Sequence, residues 1–170
     1  MIDTFEVTNK IPSLGIYIHI PFCIKKCGYC DFNTYSGLDN LKVDYTNAVI
    51  NEIKGWGLKV SKSVVDSISF GGGTPGEMPA DQLGLMLDAV KDSFFVSENA
   101  EVTLEANPGT TSSNDMKSFV NAGFTRISFG AQSFSDKNLM FLDRIHSADA
   151  IAVSFNLAKM AGFKSINLDL

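Results

Sequence analysis

Apolar residues along this chain fall into two rhythms, a period of two and a period near 3.6, and the two alternate. Leu14-Gly-Ile-Tyr-Ile-His-Ile20 is β-branched and aromatic and stops at Pro21, which reads as a strand. Tyr17 and His19 interleave with Ile16, Ile18 and Ile20 and so share one face. If that face lines a barrel interior, both need hydrogen-bond partners. A helix-period stretch follows over roughly Asp39–Leu58, with Ala48, Val49, Ile53 and Trp56 available for one face. Val64–Phe70 reads as a second strand, halted by Gly71-Gly72-Gly73. Pro79 suits the first turn of the next helix, where Leu83, Leu87, Val90 and Phe94 supply the apolar stripe.

Glu101–Glu105 reads as a third strand, ended by Asn107-Pro108-Gly109. The next helix runs from about Ser113 to Gly123, a plausible terminating glycine. Arg126–Phe129 is strand four, followed by a short helix around Asp136–Leu142. Ser147 is a candidate N-cap for a helix ending at Gly162, and Ser165–Leu170 is strand five. Strands alternating with helices of this length predict an α/β fold with parallel pairing through right-handed crossovers. Every polar or glycine-rich loop of note follows the C-terminal end of a strand, where α/β folds bind ligands. A doubly wound sheet would fit the periodicity equally well. Because a parallel strand is ordinarily followed by a covering helix, we expect a longer protein continuing beyond strand five. We also expect the 170-residue form to associate through that strand's edge.

Composition narrows the class. Hydrophobic residues make up 45% of the 170 and charged residues 19%, enough for a core and unlike a disordered chain. The net charge is −5 and no basic run exceeds Lys25-Lys26, so nucleic acid is not an expected partner. The N-terminus has early acids and no apolar signal core. No apolar stretch approaches the ~18 residues of a membrane span, so no span is expected and peripheral association stays open. Three cysteines within eight residues, Cys23 to Cys30, make a poor disulfide framework and a good ligand set. A cytoplasmic location, where thiols stay reduced, is expected.

Cys23-Ile-Lys-Lys-Cys27-Gly-Tyr-Cys30 is a C-x₃-C-x₂-C loop. Three thiolates can hold three corners of an iron–sulfur cubane and leave the fourth iron without a protein ligand. A zinc loop completed by His19, in a zinc-binding interaction module, and free thiols are the other readings; zinc loops usually bring paired C-x₂-C knuckles. Gly71-Gly-Gly-Thr-Pro75 permits close backbone approach to a ligand, or merely a tight turn. No GxGxxG or Walker lysine accompanies it. Glu105, Gln132, Arg144 and Asp169 stand at or near strand ends, where they could hold a nucleoside ligand or cap a barrel rim. His146, at the start of a helix, reads as solvent-exposed.

Tyr17-Ile-His-Ile-Pro-Phe-Cys23 with Cys27, Tyr29 and Cys30 resembles the cluster motif of radical SAM enzymes, SAM being S-adenosylmethionine. More narrowly it resembles the oxygen-independent coproporphyrinogen III oxidase-like group. Gly71–Pro75, Glu105-Ala-Asn-Pro-Gly109, Arg126–Phe134 and Ala161-Gly-Phe163 with Asp169-Leu170 match that group in order, over essentially Leu14–Leu170. The resemblance implies five β/α units of a partial (β/α)₆ TIM-like barrel, with residues 1–13 as an extension and 14–170 as a core incomplete at its C-terminus. It implies that Cys23, Cys27 and Cys30 ligate a 4Fe–4S cluster. It places Tyr17, Tyr29, Gly72, Gly73, Thr74, Glu105, Gln132, Arg144 and Asp169 around SAM, Tyr29 beside the adenine. Reductive cleavage of SAM, with an electron-donor protein as partner, is the activity this implies for the full-length protein. The oxidase pattern has a fourth cysteine two residues after the third; here that position is Phe32. The wording Cys30-Asp-Phe32 is similar to the haem chaperone branch, which implies haem as a further ligand, with porphyrinogen oxidation as the alternative.

Overall fold

In the computed structural model, residues 13–60 and 63–170 are described. Five strands, β1 (Ser13–Ile20), β2 (Val64–Gly72), β3 (Phe95–Ala106), β4 (Arg126–Phe129) and β5 (Ser165–Leu168), pair in parallel in the order β1-β2-β3-β4-β5. Sequential order means every crossover steps one strand in the same direction. Right-handed crossovers then put all helices on one face, the arrangement of a barrel wall; a doubly wound sheet reverses its order midway. The helices are α1 (Lys42–Gly57), α2 (Ala80–Ser93), α3 (Ser113–Ala122), the short α4 (Asp136–Phe141) and α5 (Ala148–Ala161). The chain is therefore α/β, with five parallel strands joined by four helical crossovers as in an open barrel. Of the expected 1–13 extension, residues 1–12 lie outside the described residues, and Ser13 already belongs to β1.

Register sorts the two faces. Ile18, Phe70, Leu104, Ile127 and Ile166 are successive partners across the sheet, and this apolar row packs with Leu83, Leu87, Met116 and Phe119 of the helices. Each such side chain, once buried, contributes roughly 1.5–3 kcal/mol. The opposite face is polar: Glu105, Ser128 and Asn167 are successive partners. His19 pairs with Gly71 on the same side. The concave face is thus built for a ligand rather than for a packed barrel core.

Capping agrees with the sequence at two helices. Ser112 and Asp115 form a reciprocal capping box at α3, and Gly123 closes it in the left-handed region at φ 110°. The Ser147 hydroxyl accepts from the Ala150 amide at the start of α5. On α1, however, Ala48 is exposed and Trp56 is 52% exposed, while Thr46 and Ile53 are buried. The inward stripe is rotated from the expected one. No helix among the described residues is long and apolar enough to cross a membrane.

Candidate functional site: a cysteine loop over a polar cavity

The loop after β1 is held by backbone bonds from two directions. Cys23 N–H donates to Tyr35 O (2.9 Å) and Tyr35 N–H to Pro21 O (2.7 Å), zipping its stem. Gly73 N–H donates to Ile20 O (2.7 Å) and Thr74 N–H to Phe22 O (2.8 Å), locking the glycine loop after β2 beneath it. A Cβ on Gly73 would stand 2.7 Å from both of those carbonyl oxygens, so only glycine permits this approach. The Cys30 N–H bonds Cys27 O (3.0 Å), curling the thiols onto one turn. Ile24 N–H donates to a Glu77 carboxylate oxygen (2.6 Å). Lys25 pairs with Asp143, tying the cysteine loop to the segment after α4.

Under this loop lies a cavity of about 530 Å³, within the range of cofactor sites. Cys23, Cys27 and Cys30 line it, each free and partly exposed. So do Tyr17, Tyr29, Gly72, Gly73, Thr74, Glu105, Gln132, Arg144 and Asp169. The fold therefore brings all twelve sequence-selected residues to one cavity, from the five strands and the loops that follow them.

The polar members are individually held. Glu105 accepts from Gly72 N–H (3.3 Å), and Gly71 has no Cβ where the Glu105 carboxylate lies. Burial raises the pKa of Glu105, and the Asp169 charge adds to the rise. Asp169 accepts from Ser128 Oγ (3.1 and 3.2 Å) and from Asn167 Nδ2 (2.6 Å). Its backbone carbonyl receives Gln132 N–H (2.7 Å). Gln132 sits at φ 63°, uncommon for a non-glycine residue, and such backbone strain clusters at ligand sites. Arg144 donates to Asn107 Oδ1 (2.5 Å), Gly130 O (2.8 Å), Cys27 Sγ (3.4 Å) and Tyr29 Oη (3.4 Å). Its Nε is buried with no partner among the described residues. Burial pushes the Tyr17, Tyr29 and Cys23 groups upward.

Of the two histidines, His146 departs from the sequence reading and His19 finds the hydrogen-bond partner that reading required. His146 is 8% exposed, against the solvent exposure expected for a helix start, because it turns inward onto Ala131 O (Nε2···O 3.1 Å). A carbonyl only accepts, so Nε2 carries the proton, and burial lowers the ring's pKa. His19 likewise turns Nε2 to Asn33 O (2.9 Å). Among the described residues no three His, Cys, Asp or Glu side chains gather around a single point suited to one metal ion. Three thiolates from one loop can hold three irons of a cubane. The donor set, three free thiols on one cavity rim, fits the cubane.

Sequence reasoning missed Asn107 and Glu77. Asn107 reads as turn punctuation before Pro108, although it stands two residues past Glu105 at the same sheet edge. Glu77 lies between the glycine loop and the helix expected from Pro79, where no pattern marks it, and its carboxyl underpins the cysteine loop.

Residues 17–170 match the profile of the radical SAM superfamily. This chain belongs to that superfamily. Membership implies a 4Fe–4S cluster and SAM, the pair for which the cysteine loop and cavity are suited. Among similar proteins, the heme chaperone HemW of Haemophilus influenzae is 41% identical over 166 residues, covering 95% of this chain and 43% of the relative. HemW of Escherichia coli K12 is 38% identical, with 95% and 43% coverage. The coproporphyrinogen III oxidase HemN of Escherichia coli, described as a radical SAM enzyme, superposes with a TM-score of 0.84 at 28% identity, over 94% of this chain and 37% of that one. The radical SAM chain thus spans less than half the length of the curated relatives it matches. HemN's likeness in structure agrees with the barrel steps described above.

Proposed function

We propose that this chain is the cluster- and SAM-binding portion of a haem chaperone of the HemW kind, working in the cytoplasm. The observation that carries the reading is the 41% identity to HemW across 95% of the chain, cysteine loop included. Cys23, Cys27 and Cys30 hold the cluster in this reading. Gly72, Gly73 and Thr74 present backbone and hydroxyl to the amino-acid part of SAM, with Arg144 supplying a cation for its carboxylate. Glu105, Gln132 and Asp169 receive hydroxyl and amino groups, and Tyr17 and Tyr29 flank the ligand. When bound, the cluster supplies the electron for reductive cleavage of SAM, drawn from a donor protein. The protein positions the ligand and shields it from water.

Phe32, 68% exposed at the cavity rim, stands where the oxidase pattern has a further cysteine. Porphyrinogen oxidation is the second reading, supported by the superposition on HemN. Both are tested on the full-length protein purified without oxygen. Haem titration should show saturable binding, and coproporphyrinogen III should remain unconverted in the presence of SAM and reductant. Turnover of the porphyrinogen without haem binding would reverse the assignment.

A further inference from the structure

Asn107 follows β3 directly, and Pro108 after it restricts its backbone to extended conformations. Its side-chain amide is used at both ends. Oδ1 accepts from Arg144 Nη2 (2.5 Å), and Nδ2 donates to Thr74 Oγ1 (3.2 Å). The Thr74 hydroxyl, 4% exposed, passes its own proton toward Cys23 Sγ (3.5 Å). On the other side Arg144 Nη1 reaches Cys27 Sγ (3.4 Å). One continuous polar arc therefore runs from the Cys27 thiol through Arg144, Asn107 and Thr74 to the Cys23 thiol. It joins the loops that follow β1, β2, β3 and β4, and Asn107 stands at its midpoint, bonded to Arg144 on one side and Thr74 on the other.

We propose that Asn107 is a positioning residue for the amino-acid end of SAM, a role that rests on the cluster-and-SAM reading above. Arg144 has a long side chain with much rotamer freedom to lose. Asn107 and Gly130 O fix its guanidinium before ligand arrives, so less order is demanded at binding. Thr74 is fixed by the same amide from the opposite side. The chemistry discriminates among replacements. Leucine fills the space and supplies neither bond. Aspartate keeps the acceptor for Arg144 and loses the donor to Thr74.

The test uses the full-length protein, reconstituted without oxygen, with SAM affinity measured by calorimetry and iron by chemical assay. Asn107→Leu should retain the iron content of the native protein, because all three thiols remain. A hydrogen bond to a charged group is worth about 1.5–3 kcal/mol, so its SAM affinity should fall roughly 10- to 100-fold. Asn107→Asp should fall less, yet measurably. In an Arg144→Met background, Asn107→Leu should weaken SAM by no more than about twofold further, as for residues acting through one another. Native affinity in either single variant, or losses that multiply in the double variant, overturns the proposal. If Asn107→Leu does not fold, the nearly isosteric aspartate variant decides alone. A native protein that takes up no iron or binds no SAM would instead refute the underlying reading, and the proposal with it.

Discussion

Glu77 is a carboxyl placed where burial opposes its charge. Desolvation raises its pKa from the ordinary glutamate range to about 7, against the Ile24 amide, which favours the ionised form. The folded chain thus keeps the Glu77 proton up to about pH 7, while the unfolded chain releases it in the usual glutamate range. Between those limits the folded state binds more protons, so Glu77's contribution to stability is complete below the lower limit and is lost as pH rises through the upper one. Thermal melts of the ligand-free chain should accordingly show Glu77→Gln gaining on the native protein as pH rises from 5 to 8. A melting difference independent of pH would remove the argument. Cys27→Ser makes the complementary point about the thiols: with two thiolates left, the reconstituted chain should lose most of its bound iron. The cysteines were legible because three thiols at fixed spacing have few other uses. Glu77 and Asn107 were not, because their partners, Ile24 and Arg144, lie far away in sequence and no local pattern marks the contact.

Among the elements, two glycines of α1 should respond oppositely to the same change. A methyl at Gly55 would meet nothing within 4 Å, and in a helix interior alanine is favoured over glycine by about 0.5–1 kcal/mol. At Gly57 the added Cβ would stand 2.6 Å from Ser93 Cβ and 2.8 Å from Ser93 O. That clash would force the ends of α1 and α2 apart, at a cost of about 1–3 kcal/mol. Denaturant unfolding should therefore place Gly55→Ala above the native chain and Gly57→Ala below it; matching shifts would contradict the close approach. Element positions were largely readable, since β4 and the caps at Ser112–Asp115, Gly123 and Ser147 follow local chemistry. β3 was underestimated, because Phe95–Asn99 lacks clean alternation. It is extended because Phe95 and Val96 pair with Val64 and Val65 before a register shift. The exposure of Trp56 was missed for a similar reason. The α1 stripe that meets the sheet and α2 is set by Ile53 and Thr46, and Trp56 falls beside it under Lys59.

For the whole molecule, parallel pairing could be read from the alternation of strands and helices, but strand order could not. Order is decided by which apolar faces meet, and the row Ile18–Phe70–Leu104–Ile127–Ile166 emerges only when the sheet is assembled. That row also sets a gradient of stability. Val65, Ile68 and Phe70 of β2 are fully buried, whereas no residue of β5 is. β5 pairs with β4 alone among the described residues, and Leu170 beyond it is 78% exposed. In the 170 residues taken by themselves, local opening should begin where burial is least, so β5 amides should exchange with solvent well before those of β2 and β3. Opening β5 would also undo the Asp169 contacts with Ser128, Asn167 and the Gln132 amide, dismantling one wall of the cavity. A ligand that binds only the closed form stabilises it by about 2.7 kcal/mol at one hundred times its Kd. Saturating SAM should then slow exchange in β5 roughly 100-fold, together with the cysteine loop, although the two are far apart in sequence. Protection confined to residues 23–35, with β5 exchanging as before, would show that Asp169 takes no part in holding the ligand.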